Sequence, residues 1–323
     1  MLYGNYRFEC QFESDGQLPI YKGSTFRGVF GHALKSVVCA LKRQTCTDCL
    51  LKSRCIYTLV FETGLAKPLP EGLHIDAAPH PFVIEPPENE QTDFNPGDAF
   101  DFNLILFGEV NHHMPYFIYA FDTMGKIGIG RKIKEQRGCF TLKSVKLDGV
   151  QIYRDADQKM ILEKGPSQLK LNSEYLSGSN EITRITLSLK TPLRVKFQNQ
   201  LTDKLPFHVL VHAMLRRTDA LLRCWGDQEP DLDFKGMVSI AKEIQTVESD
   251  LHWYDWQRYS QRQDQKMLMG GLIGSVTYQG QLSEFFPLID FCKKTHIGKQ
   301  TAFGLGMIRL DKDVNSETSN FQL

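Results

Sequence analysis

The chain has 323 residues, more than one typical domain, so we expect two domains. Hydrophobic residues make up 41% and charged residues 24% of it, which excludes a disordered or collagen-like protein, and the net charge of zero by itself argues against a nucleic-acid binder. No apolar run reaches membrane-span length, and the first residues alternate polar with apolar side chains, so we predict a cytoplasmic protein with neither membrane span nor signal peptide.

The first half begins with a strand and a helix. Tyr6, Phe8, Cys10 and Phe12 alternate with polar residues, which predicts an edge or half-buried strand. From Ser24, a candidate N-cap, the spacing changes to three and four, which predicts a helix of about five turns. The apolar residues of this helix are Phe26, Val29, Phe30, Ala33, Leu34, Val37, Val38 and Leu41.

The rest of the chain divides at a polar segment. Residues 68–96 read as loops and short strands, and 100–106 as a strand. The polar residues 155–180 mark a boundary, after which 185–189 alternate as a strand and 206–225 show a helical stripe. We therefore predict two similar α+β units, 1–180 and 181–312, followed by a disordered tail, 313–323.

Charge is unevenly distributed behind the net value of zero. Six acids and no base lie between Ile84 and Asp101, whereas seven bases and one acid lie between Lys126 and Lys146. Separate faces of a folded protein act as separate fields because the Debye length is about 8 Å. The basic run is either ordinary solvated charge or a track for a phosphate backbone.

A glycine-rich segment, Gly298-Lys299-Gln300-Thr301-Ala302-Phe303-Gly304-Leu305-Gly306, precedes the last alternating residues. Without a Cβ, such a loop lets backbone amides approach a phosphate, with Lys299 as the countercharge. The alternative is a plain tight turn. The segment lacks the order of a nucleotide P-loop, so no nucleotide cofactor is expected.

These residues resemble the C-terminal glycine-rich loop of the RAMP superfamily of CRISPR-associated proteins. Three other segments resemble its Cas6 endoribonuclease branch: Phe26–Leu34, the cysteine cluster ending at Tyr57, and Arg258–Gln263 leading to Gly270–Leu272. The resemblance implies an α+β fold with two ferredoxin-like (RRM-like) domains side by side. It also implies cleavage of CRISPR repeat RNA without a catalytic metal, by 2′-hydroxyl attack that leaves 2′,3′-cyclic phosphate and 5′-hydroxyl ends.

The resemblance places a catalytic histidine on or near the first helix, where this chain has His32. At 100° per residue, His32 lies about 200° from Phe30 and faces away from the core. Gly28 and Gly31 thin the helix beside it, and Lys35 follows one turn later. Tyr21 would fix the nucleophile or the leaving group, as tyrosines do in some family members.

Alternatives to these roles stay open. Without the resemblance, the favoured interpretation of His32 is a surface histidine with no role. Tyr21 is equally well explained as an ordinary loop aromatic. His296, directly before the glycine loop, is the rival proton carrier, and His112 with His113 is a weaker pair.

We expect RNA to contact cations, aromatic rings and the glycine loop, because arginine binds phosphates and aromatic faces stack bases. Core aromatics flanked by surface arginines would look the same. The candidate RNA-binding residues are Arg27, Lys126, Arg131, Lys132, Lys134, Arg258, Tyr259, Arg262, Gln263, His296, Gly298, Lys299, Gly304 and Gly306.

Cys39, Cys46, Cys49 and Cys55 have the spacing C-x6-C-x2-C-x5-C, which favours a small metal-binding insertion with one structural zinc ion. An iron–sulfur cluster or unligated thiols are the alternatives. Four cysteine ligands leave no open position for catalysis. We expect the other four cysteines, Cys10, Cys139, Cys224 and Cys292, to be core residues.

Two functions follow from these residues. The first is a metal-independent endoribonuclease that processes precursor crRNA. The second is a non-cleaving RNA-binding subunit of a CRISPR effector complex with the same fold. CRISPR repeat RNA is the expected partner in both, and other CRISPR effector subunits are candidate partners. A cysteine-metal redox sensor is a third hypothesis, opposed by the glycine loops.

Overall fold

The computed structural model describes residues 1–161, 163, 165–171, 182–198, 200–227, 229–260 and 265–311, without the side chains of 257–260 and 265–268. The chain divides into two compact units. The first comprises residues 1–169, 220–229 and 302–304, and the second comprises residues 170–219, 230–301 and those from 305 onward. Every helix in the described ranges is too short or too polar to cross a membrane.

The first unit alternates strands and helices. In chain order its elements are β1 (Leu2–Phe12), β2 (Gly16–Gln17), α1 (Gly23–Val38), α2 (Ile56–Phe61), α3 (Thr63–Ala66), β3 (Phe82–Glu85), β4 (Asp93–Phe94), β5 (Ala99–Phe107), α4 (Met114–Ile127), β6 (Ile129–Ile133), β7 (Gln136–Gly138), β8 (Phe140–Leu147), β9 (Val150–Arg154), β10 (Lys159–Met160) and β11 (Ser167–Gln168).

The main sheet of the first unit has a ferredoxin-like core. Its strand order is β10-β9-β8-β1-β5-β3, and each pair is antiparallel. The elements β1, α1, β3, β5, α4 and β8 make the βαββαβ unit, with strands in the spatial order fourth, first, third, second. Strands β4, β2, β6 and β7 form a smaller sheet.

The core of the first unit lies between the sheet and helices α1 and α4. The apolar face of β1 is buried: Phe8 stacks on Phe102 of β5 at 5.0 Å and contacts Phe121 of α4 at 4.6 Å. Phe30 of α1 stacks on Phe121 at 4.5 Å with nearly parallel rings. Burying each such ring contributes about 1.5–3 kcal/mol, so α1 is held against the sheet by its phenylalanines.

Two local predictions need correction. β1 is half-buried, as one of the two alternatives had it, but it pairs with both β5 and β8 and is not an edge strand, because alternation reports one buried face but not the number of neighbouring strands. Helix α1 begins at Gly23, with Lys22 at the N-cap and no side-chain cap, so Ser24 lies inside the first turn. The buried Lys22 ammonium instead donates to the Asn89 carbonyl at 2.8 Å.

The second unit repeats the same order of elements. They are β12 (Arg184–Leu193), β13 (Lys196–Phe197), β14 (Gln200–Leu201), α5 (Phe207–Trp225), α6 (Phe234–Ile240), β15 (Gln245–Tyr254), β16 (Gln257–Ser260), β17 (Gln265–Leu268), β18 (Gly271–Gln279), α7 (Phe286–Thr295) and β19 (Ile308–Asp311). Residues 220–225 at the end of α5 are assigned to the first unit. The sheet order is β15-β18-β12-β19. Read from β19, the strands are fourth, first, third and second in the chain, the same order as in the first unit. The prediction of two similar α+β units is confirmed.

The core of the second unit lies between its sheet and its helices. Ile185, Leu187 and Leu189 of β12 are buried, as their alternation predicts. Phe207 of α5 contacts Tyr278 of β18 at 4.8 Å. The Tyr278 hydroxyl donates to the Leu205 carbonyl at 2.6 Å, so the buried phenol has its partner.

Candidate active site

His32 lies on the outer face of α1. Its side chain is exposed, whereas Phe30, Ala33 and Leu34 are buried. Within the described ranges the imidazole has no hydrogen-bond partner. Gly28, one turn earlier, has no heavy atom within 4 Å of the position where a Cβ would lie. His32 and Gly28 therefore form an open strip of helix that a ribose-phosphate backbone can approach.

Lys35 and Gly31 border this strip on the side of α2. The Lys35 ammonium lies 5.3 Å from the centre of the Tyr57 ring, a cation–π contact. A Cβ at Gly31 would lie 3.2 Å from the Phe61 ring. Gly31 therefore permits packing against α2 and does not open the helix beside His32, which corrects the expectation for this glycine.

Tyr21 is held by the backbone of the glycine loop. Its hydroxyl donates to the Phe303 carbonyl at 2.6 Å, and a Cβ at Gly23 would overlap that same oxygen. Burial, and then the charge of Glu85, raise the pKa of the Tyr21 phenol. A phenol held this way stays protonated and fixes residue 303 within the first unit, and the contact of Tyr21 with the substrate stays a prediction.

Arg27 packs inside the first unit and is not an open RNA contact. Its guanidinium lies 5.2 Å from the Phe61 ring centre and 4.4 Å from that of Phe303. It donates to Nε2 of His80 at 3.1 Å, and Nδ1 of His80 donates to the Val60 carbonyl at 3.0 Å. This assigns the imidazole proton to Nδ1. His80 lies in a proline-flanked loop with no periodic pattern, so nothing in the sequence indicated its role.

Two amides of the glycine loop donate to backbone carbonyls within the second unit. The Lys299 amide donates to the Arg194 carbonyl at 2.9 Å, and the Gly306 amide donates to the Pro192 carbonyl at 3.2 Å. Gly306 has φ of +75°, and a Cβ there would overlap the Ile297 carbonyl oxygen. These contacts correct the expectation of an open phosphate cradle, because the glycines serve close packing of the backbone.

The other loop residues differ in access. Gly298 and Gly304 also have positive φ, and Gly304, assigned to the first unit, is buried. The Lys299 side chain is exposed. Lys299 therefore stays a candidate phosphate contact, whereas Gly304 and Gly306 are buried and not accessible to RNA.

His296 is fully buried and is excluded as the rival proton carrier. Its Nδ1 lies 3.1 Å from the Leu305 carbonyl oxygen. The nearby guanidinium of Arg217 donates to the carbonyls of Thr295, at 2.9 Å, and of His296, at 3.2 Å. Burial lowers the pKa of Arg217 to about 10. Arg217 was missed, and its one signal was an arginine within the apolar stripe of α5.

The weaker histidine pair lies in the first unit, at the end of the 3-10 helix Gly108–His113. His112 is exposed and His113 is half-buried, and burial lowers the pKa of His113. Neither residue is on α1.

The basic run forms the hairpin of β6 and β7. Arg131, Lys132 and Lys134 are exposed, and Lys132 pairs with Glu135 at 3.5 Å. Lys126, at the end of α4, pairs with Asp122 at 2.7 Å, and this bond raises the pKa of Lys126. The hairpin cations therefore supply the net positive charge of this surface.

The aromatic and arginine cluster near residue 260 is only partly described. Arg262 and Gln263 lie outside the described residues, as do the side chains of Arg258 and Tyr259 on β16. The roles of these four residues in RNA binding stay predictions. Residues 313–323 also lie outside the described ranges, so the disordered tail stays a prediction as well.

The four clustered cysteines lie between α1 and α2. Cys39 follows the last residue of α1 and Cys55 precedes α2, and all four thiols are free and half-buried. No three Cys, His, Asp or Glu side chains in the described part of the chain are arranged as ligands of one metal ion. Zinc binding therefore stays a prediction. Of the other cysteines, Cys139 is half-buried and not in the core.

Two units with the same ferredoxin-like strand order define a tandem ferredoxin-like protein. Residues 1–170 match the family AF_1859_N, an N-terminal domain, and residues 187–308 match the family described as CRISPR-associated endoribonuclease Cas6. The chain belongs to the AF_1859_N family, whose model matches more than half of it, and its residues 187–308 match Cas6, so the resemblance found in the sequence is confirmed.

Individual proteins show the same likeness. An uncharacterized protein of Archaeoglobus fulgidus is 23% identical over 304 residues, which cover 91% of this chain and 92% of that protein. Thermus thermophilus Cas6 is 11% identical with a TM-score of 0.53, over 96% of this chain and 98% of that one. A chain of a partial Cas6-RT-Cas1–Cas2 complex is 12% identical with a TM-score of 0.58, and this chain spans about half of its length, 48%.

Proposed function

We propose that this protein binds CRISPR repeat RNA and cleaves precursor crRNA without a metal ion. The observation that carries the proposal is the exposed imidazole of His32, which has no hydrogen-bond partner among the described residues, beside the open Gly28 and at the position that the family resemblance implies. The match of residues 187–308 to the CRISPR-associated endoribonuclease Cas6 family supports it.

The reaction needs two proton transfers. The RNA 2′-oxygen attacks the adjacent phosphorus, its proton passes to a base, and the bond from phosphorus to the 5′-oxygen breaks as that oxygen takes up a proton. His32 carries one of these protons, since histidine is the side chain that most often acts as a general acid or base. The Lys35 ammonium stabilises the anionic phosphorus centre, provided that RNA draws it from Tyr57.

The alternative is a non-cleaving RNA-binding subunit. Incubating the full chain with a CRISPR repeat RNA in EDTA separates the two functions. The enzyme produces a shorter RNA that ends in a 2′,3′-cyclic phosphate, and the other fragment begins with a 5′-hydroxyl. Intact RNA that is nevertheless retained in a binding assay contradicts the endoribonuclease and favours the subunit.

CRISPR repeat RNA is the principal partner in this proposal, and other CRISPR proteins are further ones. The support is a shared fold: solved structures similar to this chain include a Cas6 product complex, with a TM-score of 0.53, and the Cas6-RT-Cas1–Cas2 complex. Co-purification from the native host, with sequencing of the bound RNA and identification of bound proteins, tests both partners.

Replacing Arg131, Lys132 and Lys134 together by Ala should weaken RNA binding and flatten its salt dependence. Each lost phosphate contact removes about one unit from the slope of log affinity against log salt concentration, so we expect a change of up to about three units. Filter binding at several salt concentrations measures this slope. An unchanged slope would show that the hairpin cations do not contact RNA phosphates and are ordinary surface charges.

We also propose that Cys39, Cys46, Cys49 and Cys55 hold one structural zinc ion. The proposal rests on their spacing within 17 residues. Zinc held by four thiolates contributes to folding, so Cys49→Ser should lower the midpoint of thermal unfolding. Elemental analysis of protein purified without added metal should find about one zinc per chain. Iron with visible absorption would favour an iron–sulfur cluster, and fully reduced protein without metal would contradict both.

A further inference from the structure

The outward face of α4 carries large side chains for which the sequence suggested no role. Tyr116 is 47% exposed, Tyr119 is 58% exposed and Ile127 is 47% exposed. At 100° per residue, Tyr116, Tyr119, Thr123 and Lys126 lie within a stripe of about 80°. The opposite face packs into the core through Met114, Phe117, Ile118, Phe121 and Met124.

The two tyrosine rings are accessible. In the described part of the chain, the Tyr119 ring makes no contact with another aromatic ring, and that of Tyr116 has only an edge contact with His113 at 6.4 Å. Tyrosine usually buries its ring and leaves its hydroxyl in water. Two neighbouring exposed rings on one helix therefore offer flat faces to a ligand.

The basic hairpin adjoins the end of this stripe. Its base lies against the last turn of α4, because Cys139 Sγ donates to the Lys126 carbonyl at 3.7 Å. At its tip Lys134 and Glu135 both have positive φ, which makes a tight two-residue turn. Tyr116 and Lys126 are about 15 Å apart along the helix axis. The exposed tyrosine rings of α4 and the cations of the hairpin therefore lie near each other in the first unit.

We propose that Tyr116 and Tyr119 stack unpaired bases of RNA whose backbone lies on the hairpin of β6 and β7. Aromatic faces beside a cationic track are the arrangement that binds single-stranded RNA, since rings stack bases and cations neutralise phosphates. Asp122 neutralises Lys126 at the edge of the stripe and Glu135 pairs with Lys132, so Arg131 and Lys134 supply the positive charge. This inference rests on the proposed RNA-binding function.

The test uses the full chain and a single-stranded oligouridylate of about 12 nucleotides. The double variant Tyr116→Ala/Tyr119→Ala should bind at least about tenfold more weakly, because each of the two stacked bases contributes about fivefold or more. The slope of log affinity against log salt concentration should not change, because stacking releases no counterions. The control, Tyr116→Phe/Tyr119→Phe, keeps the rings and should bind as the wild type does.

Three results would overturn stacking: wild-type affinity in the double Ala variant, a loss accompanied by a flatter salt slope, or an equal loss in the Phe control. Both rings are exposed, so the variants should unfold at the wild-type temperature, and a lowered midpoint assigns the loss to folding and also counts against stacking. A wild-type protein that binds neither the oligouridylate nor a CRISPR repeat RNA overturns the proposed function as well.

Discussion

His32→Ala should lower the rate of RNA cleavage by at least about a hundredfold, the usual contribution of a general acid or base. RNA affinity should change little, because the imidazole lies on an open helix face and nothing in the described structure depends on it. Single-turnover cleavage of a labelled repeat RNA, with enzyme in excess, measures the chemical step apart from binding.

The matched control is His74→Ala, which removes another exposed histidine of the first unit. It should cleave at the wild-type rate. If His32→Ala also cleaves at that rate, the proton carrier lies elsewhere, and the exposed His112 is the next residue to replace. Buried His296 would not be the next choice.

Gly306→Ala should lower the free energy of unfolding by about 3 kcal/mol or more, the sum of backbone strain and a broken buried hydrogen bond. Residue 306 has φ of +75°, and the new methyl group would overlap the Ile297 carbonyl oxygen. The strand-like pairing in which the Ile297 amide donates to the Gly306 carbonyl, at 3.0 Å, would open. Urea denaturation measures the loss.

Gly28→Ala is the control, because it should raise the free energy of unfolding where Gly306→Ala lowers it. Nothing lies within 4 Å of its added methyl group, and alanine is the better helix former, so this variant should gain about 0.5–1 kcal/mol. If Gly306→Ala unfolds at the wild-type urea concentration, backbone packing does not require this glycine. That result would favour the interpretation that the loop binds a phosphate.

Patterns of short period predicted the local structure. Phe26, Phe30, Ala33 and Leu34 are buried because a helix repeats every 3.6 residues, and the same arithmetic placed His32 outside. Alternation likewise marked the buried faces of β1 and β12. These features depend on neighbours three or four positions away at most, so they can be read along the chain.

The hydrogen-bond partners of polar side chains could not be predicted from such short-period patterns. The hydrogen bond from Tyr21 to the Phe303 carbonyl joins positions 282 apart, and that from Arg217 to the His296 carbonyl joins positions 79 apart. Arg27 was expected at RNA but contacts His80, 53 positions away. No periodic pattern spans such distances.

The sequence by itself determined the α+β class, the two similar units, the resemblance to Cas6 and the exposed face of α1. Only the tertiary structure decided that Tyr21 and Arg27 support the first unit, that His296 is buried, and that Gly306 serves close backbone packing. The physical reason is that a buried polar group must find a hydrogen-bond partner wherever the fold brings one, and that choice is made by residues distant in the chain.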